Sequence, residues 1–380
     1  MNHIVPQPLS NKLYLANINN LTYSTPEDVH LYSTFYRRFL NHNVALVDRC
    51  GKISMPYNFE LYEKFKMPTD LTNFNMSYED CCLERAEELI NLSKQLNKPI
   101  LIMYSGGIDS TLVVISFLKI LEKENIRDRI IIAMSPEGIN ENPNFYYRFI
   151  INNFKVISSE NFSYFFNGQY IILGGEHNDQ LFGSDITQKV GLVWGFEKLF
   201  NSYKDELLYR WLLHMGLEEK HARFWFDMLV WSAETSPCEI KTSFDLFWWL
   251  NFNFKWQSVF FRILLRVNTD DRKNINKEFI SNYFHHFYSG VNFQKWSMTH
   301  PHLKIKDSWL SYKFYVKDLI YKFTQDGIYR EQKVKWGSLY KLFIAKNTPV
   351  GLTTNFEYLN VIDKDYFYNP NNSFKNGYKQ

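Results

Sequence analysis

The sequence predicts an α/β protein: a parallel, twisted sheet with flanking helices, followed by a C-terminal all-helical region. Three observations carry that expectation. Short apolar runs of strand length occur from Ile100 to Met103, from Arg129 to Ser135 and from Gln169 to Leu173, as in strands buried on both faces. Helical patterns separate these runs. Glycine pairs, Gly106-Gly107 and Gly174-Gly175, follow two of them closely.

Taken in order, residues 1–76 read as an α+β segment of unassigned role. Short strands are expected from Asn11 to Asn17 and from Val44 to Asp48, and a hairpin from Asp48 to Met55. A helix from Pro26 to Leu40 has Thr25 as its cap, with Glu27 and Asp28 in the first turn. Residues 77–190 form the α/β domain. Leu83, Ala86, Leu89, Ile90, Leu92 and Leu96 line one face of a helix from Ser77 to Leu96 that leads into the central strand. A helix follows the glycine turn from Thr111 to about Glu122. A further helix from Asn144 to Phe154 leads to a third short strand, Phe154 to Ser158. Strands alternating with helices imply parallel pairing, with ligands beyond the strand carboxyl ends, so both glycine turns open on one edge.

Beyond about residue 185 the strand signals stop. Residues 191–362 read as a helical domain, with helices from Asn201 to Met215, His221 to Trp231, Phe244 to Leu265 and Ser308 to Thr324. The stretch from Asp270 to Asn276 is a polar connection, and residues 363–380 are a polar, Asn-rich tail. The aromatic cluster from Phe247 to Trp256 is read as packing core rather than a base-stacking platform.

Composition narrows the function classes. The chain has 380 residues, 45% of them hydrophobic, with 16 glycines and 12 prolines, which is globular rather than disordered. A net charge of +3 gives no electrostatic footprint for nucleic acid or a membrane. Cys50, Cys81, Cys82 and Cys238 contain no C-x-x-C pair, and adjacent Cys81 and Cys82 would make a strained disulfide, so all four are read as reduced. No apolar run approaches membrane-spanning length and no secretory signal opens the chain. A cytoplasmic protein is expected.

The chemistry concentrates at the first glycine turn. A strand, a tight turn and a helix N-terminus together form an anion site, because glycine lets the backbone approach and the helix amides point outward. Ser105, Ser110 and Thr111 add hydroxyl donors beside Gly106 and Gly107. Asp109 is out of place beside phosphate unless a cation bridges the two, and Mg2+ is the natural bridge. Ile108 stands where a Walker A loop needs lysine, and no Gly-x-Gly-x-x-Gly occurs. At the second turn Asp179 lies just past a strand end, where two carboxylates could share magnesium over a triphosphate.

The hexapeptide Ser-Gly-Gly-Ile-Asp-Ser, residues 105–110, resembles the signature of the N-type ATP pyrophosphatases (PP-loop, or adenine nucleotide α-hydrolase-like, enzymes), which cleave ATP between the α- and β-phosphates. Residues 174–184 resemble the second motif of the asparagine synthetase branch: Glu176, Asp179, Leu181, Phe182 and Gly183 keep their places. His177, Gln180 and Ser184 depart from it, and His177 is read as a loop histidine before a substrate contact. Downstream, Lys313 to Lys317 and Asp326 to Gly337 resemble the branch's C-terminal helix, Arg-x-Lys and aromatic segment. With the aromatic placed on Trp336, the pyrophosphate-neutralising lysine becomes Lys333, one residue further from Arg330 than in the family; Lys335 is the rival.

The resemblance implies ATP and Mg2+ as cofactors. Ser105, Gly106, Gly107, Asp109, Ser110, Thr111, Gly174 and Gly175 would bind ATP, and Asp109 and Asp179 the metal. Lys333 would stabilise departing pyrophosphate, and Glu176 would deprotonate the incoming amine. The expected reaction adenylates a small-molecule carboxylate for attack by ammonia or an amine. An N-terminal cysteine nucleophile and room for a glutaminase domain are both absent, so ammonia from glutamine would need a separate partner. Alternatives are a PP-loop enzyme adenylating a nucleobase and an inactive ATP-binding regulator. His300-Pro-His302 and His285-His286 lack the converging ligands of a zinc site, and the latter pair reads as helix surface.

Overall fold

The computed structural model describes residues 46–53, 61–160, 162–183 and 185–334. The strand expected over 11–17, the helix over 26–40, the rest of the hairpin, Ser184, Lys335, Trp336 and the tail lie outside them. Its centre is one five-stranded sheet, β1 (Ile100–Tyr104), β2 (Ile130–Met134), β3 (Lys155–Ser158), β4 (Ile171–Gly174) and β5 (Phe284–His286). The strand order is β3-β2-β1-β4-β5, and every pair is parallel. Chain order reverses between β1 and β4, and such a switch point opens a crevice at the carboxyl ends. The turns after β1 and β4 are the two glycine turns.

Helix α1 (Tyr78–Leu96) is set by a capping box between Ser77 and Asp80 and ends at Asn97 in the left-handed conformation. It packs with α2 (Ile108–Leu121) on the sheet. Nearly all of α2 is buried, Ile108 to Leu118 without a break. A helix apolar all round belongs in the interior, and this one has the sheet on one side and other helices on the rest. A short helix, α3 (Pro136–Glu141), follows β2. The stretch expected to be helical up to Phe154 is instead the three-residue turn Pro143–Phe145 continued by a π turn, Tyr146–Ile150.

The second half is mostly helical, as expected, with one correction. His285 and His286 do not lie on a helix surface; they belong to β5, which extends the sheet beside β4. A three-residue strand with two histidines carries neither period-2 alternation nor a β-branched run, so pattern alone does not reveal it. Tertiary pairing decides it: His286 pairs with Gly174, and its ring fills the space where a Gly174 side chain would sit.

Further helices along the chain are α4 (Asn178–Phe182), α5 (Asp185–Trp194), α6 (Leu207–His214), α7 (Glu219–Glu234), α8 (Ser243–Phe254), α9 (Trp256–Phe261), α10 (Lys277–Tyr283), α11 (Val291–Thr299), α12 (Phe314–Thr324) and α13 (Gly327–Gln332). The single helix expected from Phe244 to Leu265 breaks at Lys255 into α8, α9 and a 3-10 turn. Its aromatic residues are core: Trp248, Trp249 and Trp256 are buried, and Arg49 reaches in to stack on Trp256 and bond the Phe252 carbonyl at 3.1 Å. All four cysteines are free thiols.

Lys304 is wholly buried, with its Nζ 3.2 Å from the centre of the Trp248 ring and no hydrogen-bond acceptor among the described residues. Burial lowers its pKa to about 7, while the Trp248 face offsets part of that penalty. The unfolded chain holds this proton up to about pH 10.5 and the folded chain releases it near 7. Stability from this group therefore rises with pH between those values. Lys304→Met should be more stable than the parent by about 1–2 kcal/mol at pH 7 and below. The gap should close toward pH 10 in urea denaturation curves.

Candidate active site at the carboxyl edge of the sheet

The turn after β1 is shaped by Gly106, whose φ is +78°. A Cβ there would lie 2.4 Å from the Gly138 carbonyl oxygen of α3, so only glycine lets the two backbones meet. The turn is tied internally: the Ser105 N–H donates to Ser110 Oγ at 3.2 Å, and Ser110 Oγ donates to the Gly107 carbonyl at 3.2 Å. Gly107 precedes α2 without a side-chain cap, so the positive end of a 14-residue helix points at the turn, where an anion is favoured. Thr111 is buried beneath the turn, its hydroxyl 3.4 Å from that of Tyr104. It supports the turn rather than lining it.

Beyond β4, Gly175 lies against the other turn: a Cβ on it would sit 3.6 Å from the Ser110 nitrogen. His177 takes φ +77° at the place where the resembled motif has glycine. Its ring is buried and bonds the Trp256 carbonyl through Nε2 at 3.0 Å. Burial pushes its pKa well below the usual imidazole range. A neutral, backbone-anchored ring in the core matches the loop-histidine reading.

Asp109 and Asp179 come from these two separate turns and meet. Lys313 Nζ is 2.6 Å from Asp109 Oδ1 and 2.7 Å from Asp179 Oδ1, and the lysine side chain is fully buried. Asn178 Nδ2 also donates to Asp109 Oδ1 at 2.6 Å, with its own carbonyl oxygen accepting from the Tyr78 hydroxyl. Tyr288 OH donates to the Asp109 backbone carbonyl at 2.8 Å. Asp109 is thus held from three elements: its carboxylate from α4 and the start of α12, and its backbone carbonyl from the segment after β5. Asp179 is more open, its side chain 37% exposed.

Two other expected residues lie at the margins. Lys333 follows α13 and pairs with Glu141 of α3 at 2.9 Å. Glu141 backs the glycine turn, its Cβ 2.8 Å from where a Gly106 side chain would start. Glu176 pairs with Arg262, which follows α9. The residue sequence reasoning did not single out is Lys313. Its signal was present, since it opens the downstream segment of resemblance, but only the fold shows that a helix about 200 residues later begins at Asp109.

The carboxylate pair suits a hard cation. Both groups offer oxygen, they converge on one positive centre, and a phosphate-bridging magnesium uses one or two protein carboxylates. Among the described residues no group of three or more His, Cys, Asp or Glu side chains could hold a metal. His300 stacks on Trp296. Among the described residues no helix is long and apolar enough to cross a membrane. Comparison with known proteins returns no match: no family model, no curated protein and no solved structure matches the chain.

Proposed function

We propose that the chain is an ATP-dependent ligase of the PP-loop type, similar to the synthetase domain of asparagine synthetase, that adenylates a carboxylate and passes its acyl group to ammonia or an amine. The observation that carries this reading is the meeting of Asp109 and Asp179 on one cation, beside a glycine turn that opens a helix without a side-chain cap.

In this reading the Gly107–Ser110 amides and the Ser105 and Ser110 hydroxyls receive the phosphates. Asp109 and Asp179 would hold magnesium, which when bound neutralises phosphate charge. Lys313, now between the carboxylates, moves its ammonium toward the phosphate oxygens as that charge arrives. A substrate carboxylate oxygen attacks the α-phosphorus, and the bond to the α,β-bridging oxygen breaks. Pyrophosphate leaves with the bridging electron pair, stabilised by Lys313 and by Lys333 once released from Glu141. The nitrogen nucleophile then attacks the acyl carbon, AMP departs, and Glu176 accepts the proton, held at the rim by Arg262.

Incubation with ATP, magnesium, ammonia and a panel of carboxylic acids tests this reading. AMP and pyrophosphate should appear in equal amounts and only with the right acid. Formation of ADP and phosphate contradicts it. Tight ATP binding with no turnover on any acid or nucleobase would replace it with the regulator reading.

A further inference from the structure

A second concave site lies on the other side of β5, away from the glycine turns. It is a cleft of about 730 Å³ between α1, the end of β5 and the start of α11. Its charges are arranged in two layers. Arg85 of α1 is 8% exposed, with Nη1 on Glu88 Oε2 at 2.6 Å and a buried Nε–H that has no acceptor among the described residues. Facing it is the N-terminus of α11, which begins at Gly290 without a side-chain cap and leaves its first amides unpaired within the helix. The rim is acidic: Glu84, Glu87 and Glu88 of α1 are exposed to solvent along it. Between the layers stands His285, hydrogen-bonded to the Asn282 backbone, with Nε2 buried and unpartnered. Burial, reinforced by Arg85 and Lys64 nearby, holds that ring neutral down to about pH 3. A neutral ring that donates from one nitrogen accepts at the other.

A simple anion suits the floor but meets the glutamates, and a simple cation suits the rim but meets Arg85. A ligand carrying both charges satisfies both layers. We propose that this cleft binds a free α-amino acid, its carboxylate on Arg85 and the opening amides of α11, its ammonium on His285 Nε2 and the Glu84 and Glu87 carboxylates. Glu88, whose side chain is 64% exposed, can swing outward and free the guanidinium fork. The wall of the cleft at Ser289 follows directly on Tyr288, which bonds the Asp109 carbonyl. The site is therefore separate from the glycine turns yet mechanically next to them, and it does not depend on the ligase reading.

Calorimetric titration of the full chain with glycine and a panel of L-amino acids tests the proposal, with acetate and methylammonium as the two half-ligands. At least one amino acid should bind one-to-one, and each half-ligand should bind at least about tenfold more weakly. Arg85→Gln should weaken the amino acid by about tenfold. The exposed substitution Glu84→Gln should weaken it too and keeps the test readable if Arg85→Gln fails to fold. Asp109→Asn should leave this affinity unchanged. The proposal is overturned if no amino acid binds at millimolar concentration. Acetate or inorganic phosphate binding as well as the best amino acid also overturns it. So does an affinity that ignores Arg85→Gln and Glu84→Gln.

Discussion

Lys313→Met should lower stability by about 3 kcal/mol at pH 7, the largest single-residue loss expected outside the core. The substitution leaves the Asp109 and Asp179 carboxylates facing each other without the ammonium that now touches both. Asp109 is the more costly of the two, since its side chain is only 11% exposed, whereas Asp179 keeps contact with water. Magnesium should recover part of the lost stability, because two carboxylates with no ammonium between them are a better site for a hard cation than two already paired. Urea denaturation with and without magnesium reads both effects. An unchanged midpoint would mean that the lysine is a bystander.

Asp179→Asn should reduce AMP formation by about 100- to 1,000-fold while leaving the fold intact. The position is partly open, so an isosteric amide is tolerated, and Lys313 retains Asp109 as its partner. The loss should fall on turnover more than on the apparent affinity for the acid, since in the proposed reaction the carboxylate acts on the phosphates. Equal activity in the variant would remove Asp179 from the site.

β1, β2 and β4 were legible because buried parallel strands write themselves as apolar runs bounded by glycine or proline, as at Ile100 and Ile171, whereas the edge strand β3 shows only the short Val156-Ile157 pair. β5 was not. Its register against β4 depends on Gly174 leaving room for the His286 ring, a contact between residues over 100 apart in the chain. The same distinction holds at the site. Asp109 and Asp179 stand out locally, as carboxylates in glycine turns at strand ends. Lys313 does not, because a lysine opening a helix is ordinarily solvated, and only the packing of α12 on α2 carries it to the carboxylates. Thr111 shows the reverse limit: one step along a helix rotates a side chain by about 100°, enough to turn a hydroxyl from the turn into the core.

The ligase reading requires that the two glycine turns, with Asp109 and Asp179, make a single magnesium-triphosphate site. Calorimetry with α,β-methylene ATP tests it most directly, since the analogue binds without being cleaved. One equivalent should bind, tightly with magnesium and weakly without, and both Asp109→Asn and Asp179→Asn should abolish the dependence on magnesium. Binding that is indifferent to magnesium and to both aspartates, or no binding at all, would contradict the account.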